Sequence, residues 1–329
     1  MNVRPLPIAG RAAARPIDPS LDLEDEIAKL KKEKNAVILA HYYQDSDIQD
    51  VADFIGDSLQ LAQAAAKTKA DVICFAGVHF MAETAKILNP EKIVVVPDLE
   101  AGCSLASGAP AAKVAAWKAR HPGALLASYI NCSAEVKAIS DYIVTSSNAE
   151  KIVSHVSKEH PDKPILFAPD KNLGGWLNKR LGKKMELWPG TCIVHDTFSE
   201  RKILGLKTRH PDALLLAHPE CDDVILRMAD YVGSTTGILN FATKSEKKEL
   251  IVATEPGILH QMQKSAPDKV FIPAPPEANC ACNECPHMKK NTLEKVYLSL
   301  RDLEPRLEMD EKLMVAARVP IDRMLQLSA

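Results

Sequence analysis

The chain of 329 residues has almost no net charge: 41 basic residues stand against 43 acidic ones, leaving −2. It has no basic tract, and aromatics make up only 5 % of it. Both the electrostatic footprint and the stacking platform of a nucleic-acid binder are therefore missing. No apolar run approaches the ~20 residues needed to cross a bilayer. The first twenty residues are rich in Pro, Ala and Arg and lack the long apolar core of a secretory signal. They read as a flexible tail, with a transit peptide as the weaker alternative. Eight cysteines without such a signal imply a reducing, cytoplasmic setting in which thiols stay available as ligands. Local cysteine pairs are scarce too, with one exception.

That exception is Asn279-Cys-Ala-Cys-Asn-Glu-Cys-Pro-His-Met288, which places Cys280, Cys282 and Cys285 within six residues. Thiolates this dense indicate a metal site or a redox pair. A zinc site built locally would need a second pair at fixed spacing. Cys74, Cys103, Cys132, Cys192 and Cys221 instead stand alone and far apart. Any further ligands must be brought in by the fold.

An internal repeat says which ones. Val37-Ile-Leu-Ala-His-Tyr-Tyr43 leads through Asp45 and Ser46, both good helix caps, to Asp53-Phe-Ile-Gly-Asp-Ser58. Leu125-Leu-Ala-Ser-Tyr-Ile-Asn131 leads through Ser133 to Asp141-Tyr-Ile-Val-Thr-Ser146. Leu214-Leu-Leu-Ala-His-Pro-Glu220 leads through Asp222 to Asp230-Tyr-Val-Gly-Ser-Thr235. The three align without a gap. His41, Tyr129 and His218 superpose at separations of 88 and 89 residues, as do Tyr43, Asn131 and Glu220, and Ser58, Ser146 and Thr235. Each unit continues with a helical segment (59–68, 149–158, 237–245) and an apolar run (72–76, 165–168, 250–253). A further helix and a last apolar run (93–96, 185–188, 270–272) complete it. Short apolar runs alternating with helices predict parallel strands with crossover helices. The expected fold is α/β: three similar α/β/α sandwiches of about four strands each around a pseudo-threefold axis. The expected division is a tail over 1–20, then units over 21–109, 110–196 and 197–329, the last carrying the cysteine cluster and a helical tail.

After the last strand of each unit, past a Pro, comes a cysteine. The separations are 62 residues from His41 to Cys103, 63 from Tyr129 to Cys192 and 67 from His218 to Cys285. Three units about one axis would bring these thiols together. Three thiolates without a fourth suggest a [4Fe–4S] cluster with one iron free of protein ligands, able to act as a Lewis acid. A Cys₃ zinc site with an open position is the chemical alternative. Cys132 and Cys221 share a repeat position that Gln44 fills in the first unit, and read as small residues at a helix start. Cys74 reads as core. Cys280 and Cys282 read as a redox pair, alternative ligands or inert neighbours.

Around this centre, His41 and His218 at strand ends could titrate near neutrality, and Tyr43, Tyr129 and Glu220 could move protons. Ser58, Ser146, Ser234 and Thr235 stand where hydroxyls and helix N-termini can hold phosphate or carboxylate groups. Taken singly, each could merely cap a helix; three aligned sets weaken that reading. His79 reads equally as a structural histidine or a rim residue, His195 as a neighbour that supports Cys192, and His121 and His210 as turn residues.

Ala40-His-Tyr-Tyr-Gln44, Asp53-Phe-Ile-Gly-Asp-Ser58, Phe80-Met-Ala-Glu83, Tyr129-Ile-Asn131, Ser133-Ala-Glu-Val-Lys137, His218-Pro-Glu-Cys221, Gly233-Ser-Thr-Thr-Gly237 and Cys285-Pro-His-Met288 together resemble the quinolinate synthase family. The resemblance spans roughly residues 22 to 303. It implies a three-domain fold around a [4Fe–4S] cluster on Cys103, Cys192 and Cys285. It also implies condensation of iminoaspartate with dihydroxyacetone phosphate to quinolinate, the precursor of NAD, with loss of phosphate and two waters. The substrate pocket would be lined by His41, Tyr43, Ser58, Tyr129, Asn131, Ser146, His218, Glu220, Ser234 and Thr235, with His41, Tyr43, Tyr129 and Glu220 as the acid–base groups. Partners would be these small substrates and an oxidase or dehydrogenase that makes iminoaspartate, with neither nucleic acid nor membrane. The competing classes are an iron–sulfur sensor or scaffold, and another cluster-dependent hydro-lyase. A sensor needs no pocket of hydroxyls and imidazoles.

Overall fold

The computed structural model describes residues 16–278 and 283–329. Cys280, Cys282 and most of the N-terminal tail lie outside the described residues. The first unit runs α1 (Leu23–Glu33), β1 (Ala36–His41), α2 (Ser46–Val51), β2 (Phe54–Gly56), α3 (Ser58–Lys67), β3 (Val72–Ala76), α4 (His79–Leu88), β4 (Ile93–Val95) and α5 (Ser104–Gly108). The second runs α6 (Ala111–Ala119), β5 (Leu125–Tyr129), α7 (Ala134–Ile139), β6 (Tyr142–Val144), α8 (Ala149–Glu159), β7 (Ile165–Ala168), α9 (Lys171–Leu181) and β8 (Glu186–Leu187). The third runs α10 (Glu200–Arg209), β9 (Leu214–Ala217), α11 (Asp223–Met228), β10 (Tyr231–Val232), α12 (Thr235–Lys244), β11 (Glu249–Ala253), α13 (Ile258–Ser265) and β12 (Val270–Pro273). Two helices follow, α14 (Leu293–Asp302) and α15 (Glu311–Ser328).

Each unit makes one four-stranded, all-parallel sheet, and the strand order is the same three times: β2-β1-β3-β4, β6-β5-β7-β8 and β10-β9-β11-β12. The apolar runs predicted over 72–76 and 165–168 coincide with β3 and β7. The central strands are buried along almost their whole length, as parallel strands covered on both faces must be,. This is the predicted fold class.

One device recurs in all three units and explains the repeated aspartate. Asp53, Asp141 and Asp230 each stand just before the second strand. Each accepts the backbone N–H of the first strand, from Ile38 at 2.8 Å, Leu126 at 2.8 Å and Leu215 at 2.7 Å. Each also pairs at 2.8 Å with a lysine of the preceding helix: Lys31, Lys118 and Lys207. The aspartate thus fixes the register of the edge strand and ties a helix to it.

Three local expectations change. Asp45 holds the N-cap position of α2 but makes no capping bond; its carboxylate instead meets Lys289 at 2.8 Å. His121 and His210 are not merely turn residues, since each reaches back to a strand glutamate, Glu186 at 2.8 Å and Glu249 at 3.0 Å. The helical tail does not stay with the third sheet. α14 packs on α1, and α15 lies across α4 of the first unit and α7, β6 and α8 of the second. Buried Ala317, Ile321 and Met324 of α15 join the core shared by those two units. Cys74, Cys132 and Cys221 are fully buried, as expected of core and helix-start positions. Among the described residues no helix is long and apolar enough to cross a membrane.

Candidate active site

The carboxyl ends of the strands, where parallel sheets bind ligands, open onto a shared cavity. It is lined by His41, Tyr43 and Ser58 from the first unit, Tyr129, Asn131 and Ser146 from the second, and His218, Glu220 and Thr235 from the third. Cys103, Cys192 and Cys285 line it too. The geometry that the repeat demanded, aligned residues facing one centre, is present. Ser234 departs from it: its hydroxyl caps α12 through Gly237 N and meets Ser147 Oγ at 2.8 Å, so it is not part of the lining. His79 stays outside as well, with Nδ1 3.5 Å from Glu83.

His41 and His218 share one posture. Each Nδ1 accepts the backbone N–H two residues on, from Tyr43 at 3.2 Å and Glu220 at 3.3 Å. That bond assigns the proton to Nε2, and His218 Nε2 lies 3.2 Å from Ser146 Oγ. Burial keeps both rings neutral. It pushes His41 down to about 4 despite Asp57 and Glu220, and His218 down to about 3 despite Glu220.

A continuous chain of hydrogen bonds joins the three units. Tyr129 donates to Glu220 Oε1 at 2.5 Å, and Glu220 Oε2 lies 2.9 Å from His195 Nδ1. His195 Nε2 lies 2.9 Å from Thr254 Oγ1, which is 2.8 Å from Tyr43 Oη, itself 2.9 Å from Thr235 Oγ1. Burial alone would raise the Glu220 carboxyl. The facing His195 and His218 rings, with hydrogen bonds from His195 and Tyr129, reverse this and hold it well below its ordinary value. Burial, and for Tyr129 the neighbouring Glu220, push both phenols well above theirs. The site therefore pairs an ionised carboxylate with phenols that keep their protons.

The three cysteines also share a posture. Cys103 precedes α5, while Cys192 and Cys285 precede 3₁₀ turns at His195–Thr197 and Met288–Lys290. Each sulfur receives the backbone N–H groups two and three residues on: Leu105 and Ala106, Val194 and His195, His287 and Met288. Burial pushes Cys103 up to about 12 and raises Cys192 and Cys285 as well. Such thiols ionise only against a strong local positive charge, which a metal supplies. Three thiols, one from each unit and each facing two N–H donors, make a donor set that fits an iron–sulfur cluster. A second set, Cys192, His195 and Glu220, brings its ligand atoms within 4.8 Å of one another. His195 Nδ1 lies 3.3 Å from Cys192 Sγ.

Residues 25–326 match the family model described as quinolinate synthetase A protein. The chain belongs to the quinolinate synthase family. It is 61 % identical to the quinolinate synthase of Microcystis aeruginosa over 93 % of this chain and 95 % of that one. It is 60 % identical to that of Trichormus variabilis over 97 % and 98 % of the two chains. It is also 60 % identical to that of Chloroherpeton thalassium, over 94 % and 95 %.

The repeat did not reveal every group that this family member places at its cavity. Glu255 is fully buried in the lining. Its Oε1 accepts Cys285 N at 3.3 Å and its Oε2 accepts Gly257 N at 2.7 Å, and burial lifts its carboxyl to about 7 although Lys289 stands 3.4 Å away. Thr254 bridges His195 and Tyr43. Asp57, one residue before Ser58, lines the cavity as well. Position was the available signal, since Thr254 and Glu255 are the first polar residues past the end of β11.

Proposed function

We propose that this protein condenses iminoaspartate with dihydroxyacetone phosphate to give quinolinate, phosphate and two waters, the step that feeds NAD synthesis. A [4Fe–4S] cluster would sit on Cys103, Cys192 and Cys285. What carries this reading is the convergence of three thiols and three aligned sets of hydroxyl, imidazole and phenol groups, one from each unit, on one cavity. When bound, such a cluster with an open iron supplies Lewis acidity to a carbonyl, imine or leaving hydroxyl.

The protein's own residues account for the remaining work. Neutral His41 and His218 present Nε2–H donors to anionic groups without taking the proton themselves. Ser58 and Thr235 are the first residues of α3 and α12, and they line the cavity where they can donate hydroxyl hydrogen bonds to a phosphate or carboxylate group,. Ser146 completes that set. Glu220 is the base that removes substrate protons during isomerisation, ring closure and dehydration. Tyr129, held at 2.5 Å from it, returns them, and His195 with Thr254 links this pair to Tyr43. Asn131 adds a polar contact from the second unit. The substrates are small molecules, with iminoaspartate delivered by an oxidase or dehydrogenase, and the setting is cytoplasmic.

The test is an anaerobic assay of protein reconstituted with iron and sulfide. Quinolinate should form only when both substrates and the loaded protein are present. No quinolinate from fully loaded protein would refute the reaction. Iron and sulfide in equal, cluster-sized amounts support the three-thiol site. A single metal ion without sulfide would instead favour the Cys192–His195–Glu220 set.

A further inference from the structure

In the cavity wall, one carboxylate ties all three units together. Asp57 is buried, and four donors converge on it. Its Oδ1 accepts Leu59 N and Gln60 N, both at 3.1 Å, at the start of α3. Its Oδ2 accepts Ser147 Oγ of the second unit at 2.6 Å and Thr236 Oγ1 of the third at 2.7 Å. Ser147 Oγ lies 2.8 Å from Ser234 Oγ, and Thr236 Oγ1 lies 2.8 Å from Gln60 Oε1. Asp57, Ser147, Ser234 and Thr236 are each next in the chain to a cavity hydroxyl. Asp57 precedes Ser58, Ser147 follows Ser146, and Ser234 and Thr236 flank Thr235.

A negative charge next to hydroxyls that hold an anion works against binding unless it serves another purpose. Here its purpose is alignment. A carboxylate offers only acceptors, so Ser147 turns its proton toward it and Thr236 shares its single proton between Asp57 Oδ2 and Gln60 Oε1,, and bonds to a charged acceptor are short and strong. A neutral amide would direct donors at one of those hydroxyls and loosen the junction. We propose that Asp57 is a positioning residue for phosphate recognition. By gripping Ser147 and Thr236 it sets the spacing of Ser58, Ser146 and Thr235 across three separately folded units. The proposal deepens the triose-phosphate reading given above and rests on it.

Asp57→Asn, Ser147→Ala and the double variant test it in the reconstituted holoenzyme. Asp57→Asn should raise KM for dihydroxyacetone phosphate roughly ten-fold, the worth of a charged hydrogen bond. Its kcat should stay within about three-fold of wild type, because no reacting group is touched. Ser147→Ala should act in the same direction but less, and the double variant should be no worse than Asp57→Asn, since both break one junction. Iron content and visible absorption should match wild type throughout. A merely structural role would lower the melting temperature and leave KM alone. Unchanged KM in the single variants, a fall in kcat at constant KM, or additive effects in the double variant would each overturn the proposal. If Asp57→Asn fails to fold, Ser147→Ala alone decides. If wild-type protein makes no quinolinate, the reaction reading fails separately. The knot is then judged by whether dihydroxyacetone phosphate raises the melting temperature of wild type more than that of the variants.

Discussion

Glu220 shows how much of this site rests on single side chains. It is a carboxylate in a buried cavity, held by His195 on one side and Tyr129 on the other. Glu220→Gln keeps the shape, removes the base and leaves Tyr129 facing an amide. Quinolinate formation should drop by about 10²-fold or more while iron content stays at wild-type level; a drop of only a few-fold would remove Glu220 from the proton-transfer role. The cysteines give the complementary case. Cys103→Ser, Cys192→Ser and Cys285→Ser should each abolish the visible absorption of the reconstituted protein. Cys132→Ser and Cys221→Ser, whose sulfurs are fully buried outside the lining, should not. Full absorption in Cys285→Ser would overturn the ligand set. Residues aligned in all three units were legible because the repeat showed them three times. Glu255 was not, because the same place after the central strand holds Val78 in the first unit and Asp170 in the second. Asp57 was hidden for a different reason: as a helix N-cap it has a sufficient local explanation, and its partners Ser147 and Thr236 lie 90 and 179 residues away.

At the scale of elements, the strands were legible wherever a compact apolar run is bounded by polar residues, as at β3 and β7. The last strand of the second unit was harder. The apolar residues Met185 and Trp188 flank a ladder of only Glu186–Leu187, and side-chain character there says more about burial than about backbone pairing. The C-terminal helices follow the third unit in the chain, yet α14 packs on the first unit and α15 on the first two, and chain order alone does not say which surface a helix covers. α15 spans the first two units with Ala317, Ile321 and Met324 fully buried. Ile321→Ala should therefore destabilise the protein by about 2–5 kcal/mol, read as a lower denaturant midpoint at unchanged slope. The active site should be spared at low temperature, since none of the three residues lines the cavity. A midpoint equal to wild type would mean that α15 decorates the two units without joining them.

For the whole molecule, burying this site governs how stability depends on pH. His41 and His218 are neutral in the fold, at about 4 and about 3 against an ordinary 6.5. As pH falls through 6.5 the unfolded chain takes up these protons while the folded protein refuses them. Their contribution is thus fully present above 6.5 and is lost as pH falls toward about 4 and about 3,. Two buried carboxyls act the other way. Burial raises Glu255 from 4.5 to about 7, and burial with the nearby charge of Glu220 raises Asp170 well above 3.8. Each stays protonated in the fold after the unfolded chain has released its proton, so each favours the folded state toward lower pH. The two pairs oppose one another between 4.5 and 6.5, and the wild-type curve is expected to vary little there. A difference measurement isolates one side. His41→Gln cannot titrate, so the stability of wild type relative to this variant should fall by about 3 kcal/mol between neutral pH and about 4,. Denaturant titrations of both proteins at several pH values, with refolding verified, give that difference directly. A gap that stays constant with pH would mean that His41 exchanges protons as freely in the fold as in the open chain. The neutral Nε2–H donor assigned to it would then be wrong.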